Sequence, residues 1–209
     1  MTQYSYNIIT KMLKKDELKV LKLLLSDMTK EVTITDISKA LKQNYFQTYR
    51  TISELTATEN VSIKTIGKSK IVQLDYTKYN PHYIIAEVER MQDARVNKEI
   101  YLIQKQIIEL HKNFICILFG SQVITPKKES DIDLLFIIPD NANYVLTEKA
   151  IKMQLAPYHC DINVIHEKNL LEMWANPKKL NLGNEILKKH IVLYGTEHFM
   201  NMLRHHYVG

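Results

Sequence analysis

Residues 115–138 read ICILFGSQVITPKKESDIDLLFII, two apolar runs parted by a polar excursion. The first run, Ile115 to Phe119, stops at Gly120-Ser121, and the second opens on Asp131 and Asp133. Short apolar runs bounded by turn residues predict strands. Side chains alternate across a strand, so Asp131 and Asp133 face the same way, their stems about 7 Å apart at the usual rise. A helix is predicted over 144–156 and a third strand over 161–166, which also begins on a carboxylate, Asp161. Paired at about 4.8 Å beside the strand that begins at Asp131, it brings Asp161 to the other two. Cys160 and Ile162 then point the opposite way, toward covering helices.

Three carboxylates near one point repel each other and call for a cation. Hard oxygen ligands select Mg²⁺ or Mn²⁺, which also bridge substrate phosphates. Gly120 permits close backbone approach, and the Gly120-Ser121 amides with the Ser121 hydroxyl are suited to cradling a triphosphate. The chemistry implied is nucleotidyl transfer with loss of pyrophosphate.

Gly-Ser, nine residues, Asp-x-Asp and a later strand-borne Asp resemble the DNA polymerase beta-like nucleotidyltransferase superfamily. Residues 97–209 are short enough to suit its minimal branch. The resemblance implies that Asp131, Asp133 and Asp161 bind metal and catalyse, and that Gly120 and Ser121 bind nucleotide phosphate. It further implies an NTP substrate, ATP by preference, and a hydroxyl acceptor. Antitoxin members modify a tyrosine on a partner toxin, which makes a partner protein one expected acceptor. Many minimal members continue Gly-Ser-x-Ala-Arg-Gly, whereas this chain has Gln122-Val123-Ile124 after Gly120-Ser121. Lys127 and Lys128 are the expected substitutes for the arginine. The alternative is a transcription regulator whose transferase-like domain senses nucleotide with little or no catalysis. An aminoglycoside-type resistance enzyme explains the site but not the front of the chain.

The front is basic. Residues 1–80 carry 13 Lys and Arg against 8 Asp and Glu, the remainder 15 against 15, so the whole +5 excess lies there. Such asymmetry points to two modules, the first meeting a polyanion. Apolar spacing predicts a helix over 16–28, a second capped by Thr33 or Thr35 with Ile37, Ala40 and Leu41 inward, and a third over 45–58 with Tyr49, Ile52 and Leu55 inward. Strands over 61–66 and 70–75 meet at Gly67-Lys68-Ser69 as a hairpin. Three helices and a hairpin resemble the winged helix-turn-helix. That implies double-stranded DNA as partner, with Gln43, Asn44, Gln47, Thr48 and Arg50 facing the major groove and Lys64, Lys68 and Lys70 on phosphate.

The fold class expected is α+β: a winged helix-turn-helix over 1–80, a helical connector over 81–96, and a small mixed-sheet nucleotidyltransferase domain with flanking helices over 97–209. Apolar residues from Ile84 to Leu110 follow helical spacing, with a break near 92–95. Such a helix packs either on its own copy, as a homodimer, or on the sheet that follows. No apolar run approaches the roughly 20 residues that span a bilayer, and no signal peptide opens the chain, so no membrane and a cytoplasmic location are expected. Cys116 and Cys160, inside strands, read as buried small hydrophobes.

Overall fold

The computed structural model describes residues 13–110, 112–123 and 131–208. Lys127 and Lys128 lie outside the described residues. The fold is mixed α+β, built on two small sheets.

Helix α1 (Lys15–Ser26) buries Val20, Leu21, Leu24 and Leu25 along one stripe, and the Glu17 carboxylate reaches back to cap the Lys14 amide. Helix α2 (Ile34–Ala40) starts on a reciprocal capping box: the Thr33 hydroxyl accepts from the Asp36 amide, and Asp36 accepts from the Thr33 amide. Helix α3 (Tyr45–Ala57) is capped by Asn44, whose side chain accepts from the Gln47 amide at 2.8 Å. Strand β1 (Val32–Thr33) then edges a hairpin of β2 (Val61–Ile66) and β3 (Ser69–Leu74), in the order β1-β3-β2. The two-residue turn at Gly67-Lys68 places Gly67 at φ +59°, the left-handed region that suits glycine in a tight hairpin.

Helix α4 (Pro81–Ala94) begins with proline at its first turn behind an Asn80 cap. The chain breaks at 95–97, close to the expected place, and α5 (Lys98–Glu109) follows. The second sheet comprises β4 (Ile115–Phe119), β5 (Ile132–Ile138), β6 (Cys160–His166) and β7 (Ile191–Tyr194), in the order β6-β5-β4-β7. Only the β5–β6 pair is parallel, because helix α6 (Tyr144–Leu155) provides the crossover between them. Helices α7 (Glu167–Trp174), α8 (Leu182–Lys188) and α9 (Thr196–Val208) complete the chain.

Alternation along β4 and β5 divides the packing. Cys116, Leu118, Leu134 and Phe136 face Ile100, Ile103 and Ile107 of α5 and Ile151 and Leu155 of α6. Ile115, Ile117, Leu135 and Ile137 belong with Leu170 and Trp174 of α7, Ile186 of α8 and Phe199 of α9. That second core runs on without interruption through Tyr83 and Ala86 of α4 to Leu21, Leu25, Ile52 and Val72 of the front unit. Front and rear are therefore fused through shared apolar burial, at roughly 1.5–3 kcal/mol for each large side chain removed from water.

A polar pin crosses the same junction. The buried Arg90 of α4 pairs with the fully buried Glu87 and donates to the Leu25 carbonyl of α1 and the His190 carbonyl before β7. Glu87 in turn accepts from the Val192 amide at 2.9 Å. Nearby, the Met28 amide donates to the Leu187 carbonyl, and the Tyr76 and Tyr207 rings stack at 4.7 Å.

Three expectations need correction. Tyr49 is partly exposed, because α3 turns Thr48 and Thr51 inward instead, their hydroxyls satisfied by the Asn44 and Gln47 carbonyls. Ala40 is exposed at the end of α2. Val96, inside the helical stripe by spacing, falls in the break after α4 and is 87% exposed. Of the two packings open to the connector, α5 takes the sheet through Ile100, Ile103 and Ile107. Among the described residues, no helix is long and apolar enough to cross a membrane.

Candidate functional site

Asp131 stands immediately before β5, and Asp133 is the second residue of that strand. The parallel register sets Asp133 directly beside Asp161 of β6, and the antiparallel register sets it beside Phe119 of β4. Asp133 and Asp161 thus issue on the face shared by Leu135, Ile137 and Ile165, the side covered by α7–α9, with Asp131 close enough for its charge to act on Asp133. Ile162 and Val164 pack on the other face with Cys160, as alternation requires. Asp131 and Asp161 are exposed, whereas Asp133 is partly buried.

Gly120 closes β4 at φ +74°, and a Cβ added there would stand 2.0 Å from Oδ2 of Asp133. The carboxylate lies directly on the glycine, in space that any side chain would occupy. Gly120, Ser121, Gln122 and Val123 form a single 3₁₀ turn that leads off this point. Burial, then the charges of Asp161 and Asp131, push the Asp133 carboxyl above its ordinary range. Burial is the larger cause, and the neighbouring like charges add to it. A divalent cation would relieve that repulsion, and an all-oxygen donor set suits Mg²⁺ or Mn²⁺. Among the described residues, however, no three His, Cys, Asp or Glu side chains converge into a metal-binding group, so the carboxylates are adjacent without being clamped together.

A cavity of about 430 Å³ adjoins the turn, lined by Phe119, Gly120, Ser121, Glu185, Lys188 and Lys189. The two lysines, at the end of α8, escaped the sequence reading; their only local signal was adjacency to each other just before a strand. Burial, then Glu99 and Asp131, push the Cys160 thiol up to about 12, away from the thiolate form a nucleophile uses. Cys116 is fully buried.

On the front unit the expected DNA-facing residues divide. Thr48 is fully buried with its hydroxyl bound to the Asn44 carbonyl, so its assignment to a groove is withdrawn. Gln43 and Gln47 both donate to the Asp16 carboxylate, at 2.9 and 2.8 Å, which ties α3 to α1. Asn44 spends its side-chain oxygen on capping α3. Arg50 is exposed, its Nε 3.6 Å from Glu54. Lys64, Lys68 and Lys70 are exposed on the hairpin, and the Lys70 ammonium lies 4.8 Å above the Tyr49 ring. The same end of α3 displays Tyr45 and Phe46, the latter 79% exposed, a feature the charge-based reading passed over.

No family model matches the chain, and no curated protein matches it in sequence. Among solved structures it is similar to AF1382 from Archaeoglobus fulgidus at 17% identity, over 49% of this chain and 93% of that one, with a TM-score of 0.32. So low a score leaves the functional argument to the site itself.

Proposed function

We propose that the chain is a Mg²⁺- or Mn²⁺-dependent nucleotidyltransferase carrying a winged-helix DNA-binding unit. The observation that carries this reading is the placement of Asp133 on Gly120, in register with Asp161 and two residues from Asp131. Bound there, the cation would neutralise phosphate charge and favour the ionised form of an attacking hydroxyl.

The protein's own groups do the rest. Asp131 and Asp133 would hold the metal, and Gly120 lets the NTP phosphates approach the backbone without a side chain in the way. The Ser121 hydroxyl donates to a phosphate oxygen. Asp161, exposed at the strand edge, accepts the proton of the acceptor hydroxyl as its oxygen bonds to the α-phosphorus and pyrophosphate departs. ATP is the expected donor and a partner protein one expected acceptor. In the front unit, three helices and an exposed lysine-bearing hairpin support engagement of double-stranded DNA through phosphate contacts. The fused core means that this unit and the transferase sheet act as one body rather than as beads on a tether. Association of two copies would complete a two-fold reader of DNA.

Incubation of the intact chain with α-labelled ATP, Mg²⁺ and a lysate of its source tests the reading. Label transfer and pyrophosphate release by the wild type, both lost in Asp131→Ala/Asp133→Ala, are expected. Nucleotide binding without pyrophosphate release from any acceptor would assign the sensor role instead.

A further inference from the structure

The geometry points to Lys188 and Lys189 as the cationic half of a polyphosphate subsite, in the cavity they share with the Gly120-Ser121 turn. This inference rests on the nucleotidyltransferase reading and names the residues that receive the β- and γ-phosphates. A triphosphate brought onto Gly120 meets Asp133 lying on that glycine, with Asp131 and Asp161 beside it. One divalent cation leaves much of that combined negative charge uncompensated, so further positive charge is needed on the far side of the phosphates. The turn offers none: Gln122 and Val123 follow Ser121, and the Gln122 side chain is buried.

The remaining lining of the cavity supplies it. Lys188 and Lys189 line the same 430 Å³ space as Gly120 and Ser121, both are exposed, and neither forms an ion pair among the described residues. Glu185 also lines the cavity, three and four residues before them on α8, but it makes no ion pair with either. Two cations therefore share the cavity with the turn, against one carboxylate. A lysine at the last turn of a helix is also favoured by the helix dipole, so the residue type alone would mean little. What sets these two lysines apart is the cavity they share with Gly120 and Ser121. The wall is well anchored: Ile186 and Leu187 are buried, and the His190 carbonyl is held by Arg90.

The test compares ATP, inorganic pyrophosphate and adenosine binding to the full chain in Mg²⁺ by calorimetry. Lys188→Ala/Lys189→Ala is expected to weaken ATP and pyrophosphate by roughly tenfold or more, the low end for losing charge-assisted contacts at an open site, and to leave adenosine unchanged. Lys188→Arg/Lys189→Arg is expected to retain binding within a few-fold. An unchanged melting temperature excludes misfolding, since both side chains are exposed. ATP affinity equal to wild type in the alanine variant, while Asp133→Ala loses it, would overturn the lysine assignment and leave the transferase reading standing. Failure of the wild type to bind ATP or pyrophosphate at all would overturn both.

Discussion

Gly120→Ala separates a backbone requirement from a functional one at a single atom. The residue sits at φ +74°, where an L side chain costs roughly 1–2 kcal/mol. For a chain of this size that corresponds to a fall in melting temperature of roughly 2–8 °C. The added Cβ would also lie 2.0 Å from Asp133 Oδ2 and 3.0 Å from its Cγ. Because the carboxylate is the free end of a side chain, it can swing away at little cost to folding, but it must move by about 1 Å to reach a tolerable contact. A displacement of that size in a catalytic constellation costs on the order of a hundredfold in rate. Gly120→Ala is therefore expected to stay folded, melt a few degrees lower and lose about two orders of magnitude in label transfer. Melting curves and initial rates of pyrophosphate release measure the two effects. In an Asp133→Ala background the rate effect should vanish while the backbone penalty remains. Activity within a few-fold of wild type in Gly120→Ala would refute the placement of Asp133 at the reacting centre.

Other perturbations probe the junction and the front unit. Arg90→Ala strands the buried Glu87 carboxylate and should cost about 3–5 kcal/mol by urea unfolding, with Glu87→Gln/Arg90→Met distinctly milder; a loss under about 1 kcal/mol would deny the pin its role. Burial, with Arg90 adding to it, holds the fully buried His190 imidazole well below its ordinary 6.5, so the folded state binds fewer protons than the unfolded chain. Stability from this group is present above about pH 6.5 and declines as pH falls below it, and His190→Leu should flatten that slope in melting temperature against pH. Lys68→Ala, at the hairpin turn, should weaken DNA binding evenly across sequences and lower the salt dependence by about one phosphate contact; an unchanged slope would remove Lys68 from the interface. Asp133→Asn should raise the melting temperature at pH 7 in the absence of metal. The raised carboxyl of Asp133 makes its ionised form a net cost, and the gain should shrink as pH falls toward 3.8.

Much of the rear sheet was legible from local pattern. Alternation, turn glycines and apolar run length are properties of neighbouring residues, so they located β4, β5 and β6 and set Cys160 on the face away from Asp161. The cap at Thr33 is equally local, and the helices fell close to where spacing put them, but Asn44, expected on DNA, turned out to cap α3. Side-chain partnership is where that reading failed. Thr48 and Tyr49 are neighbours on α3, and which of them turns inward depends on α1 and the hairpin packing around that helix, not on hydropathy order. Gln43 and Gln47 looked like base readers because nothing near them in the chain competes for their amides. The competitor is Asp16, on another helix.

Period and composition specify most of the elements, the alternation along β4 and β5 and the basic bias of the front, whereas the two-residue β1 carries no such local signal. Packing in three dimensions sets Asp161 in register with Asp133, rests a carboxylate on Gly120 and brings Lys188 and Lys189 into the lining of the cavity beside it. It alone also decided that front and rear share one core pinned by Arg90. These are meetings of residues far apart in the chain. Their geometry is set by which apolar faces bury together, and no local pattern carries that information.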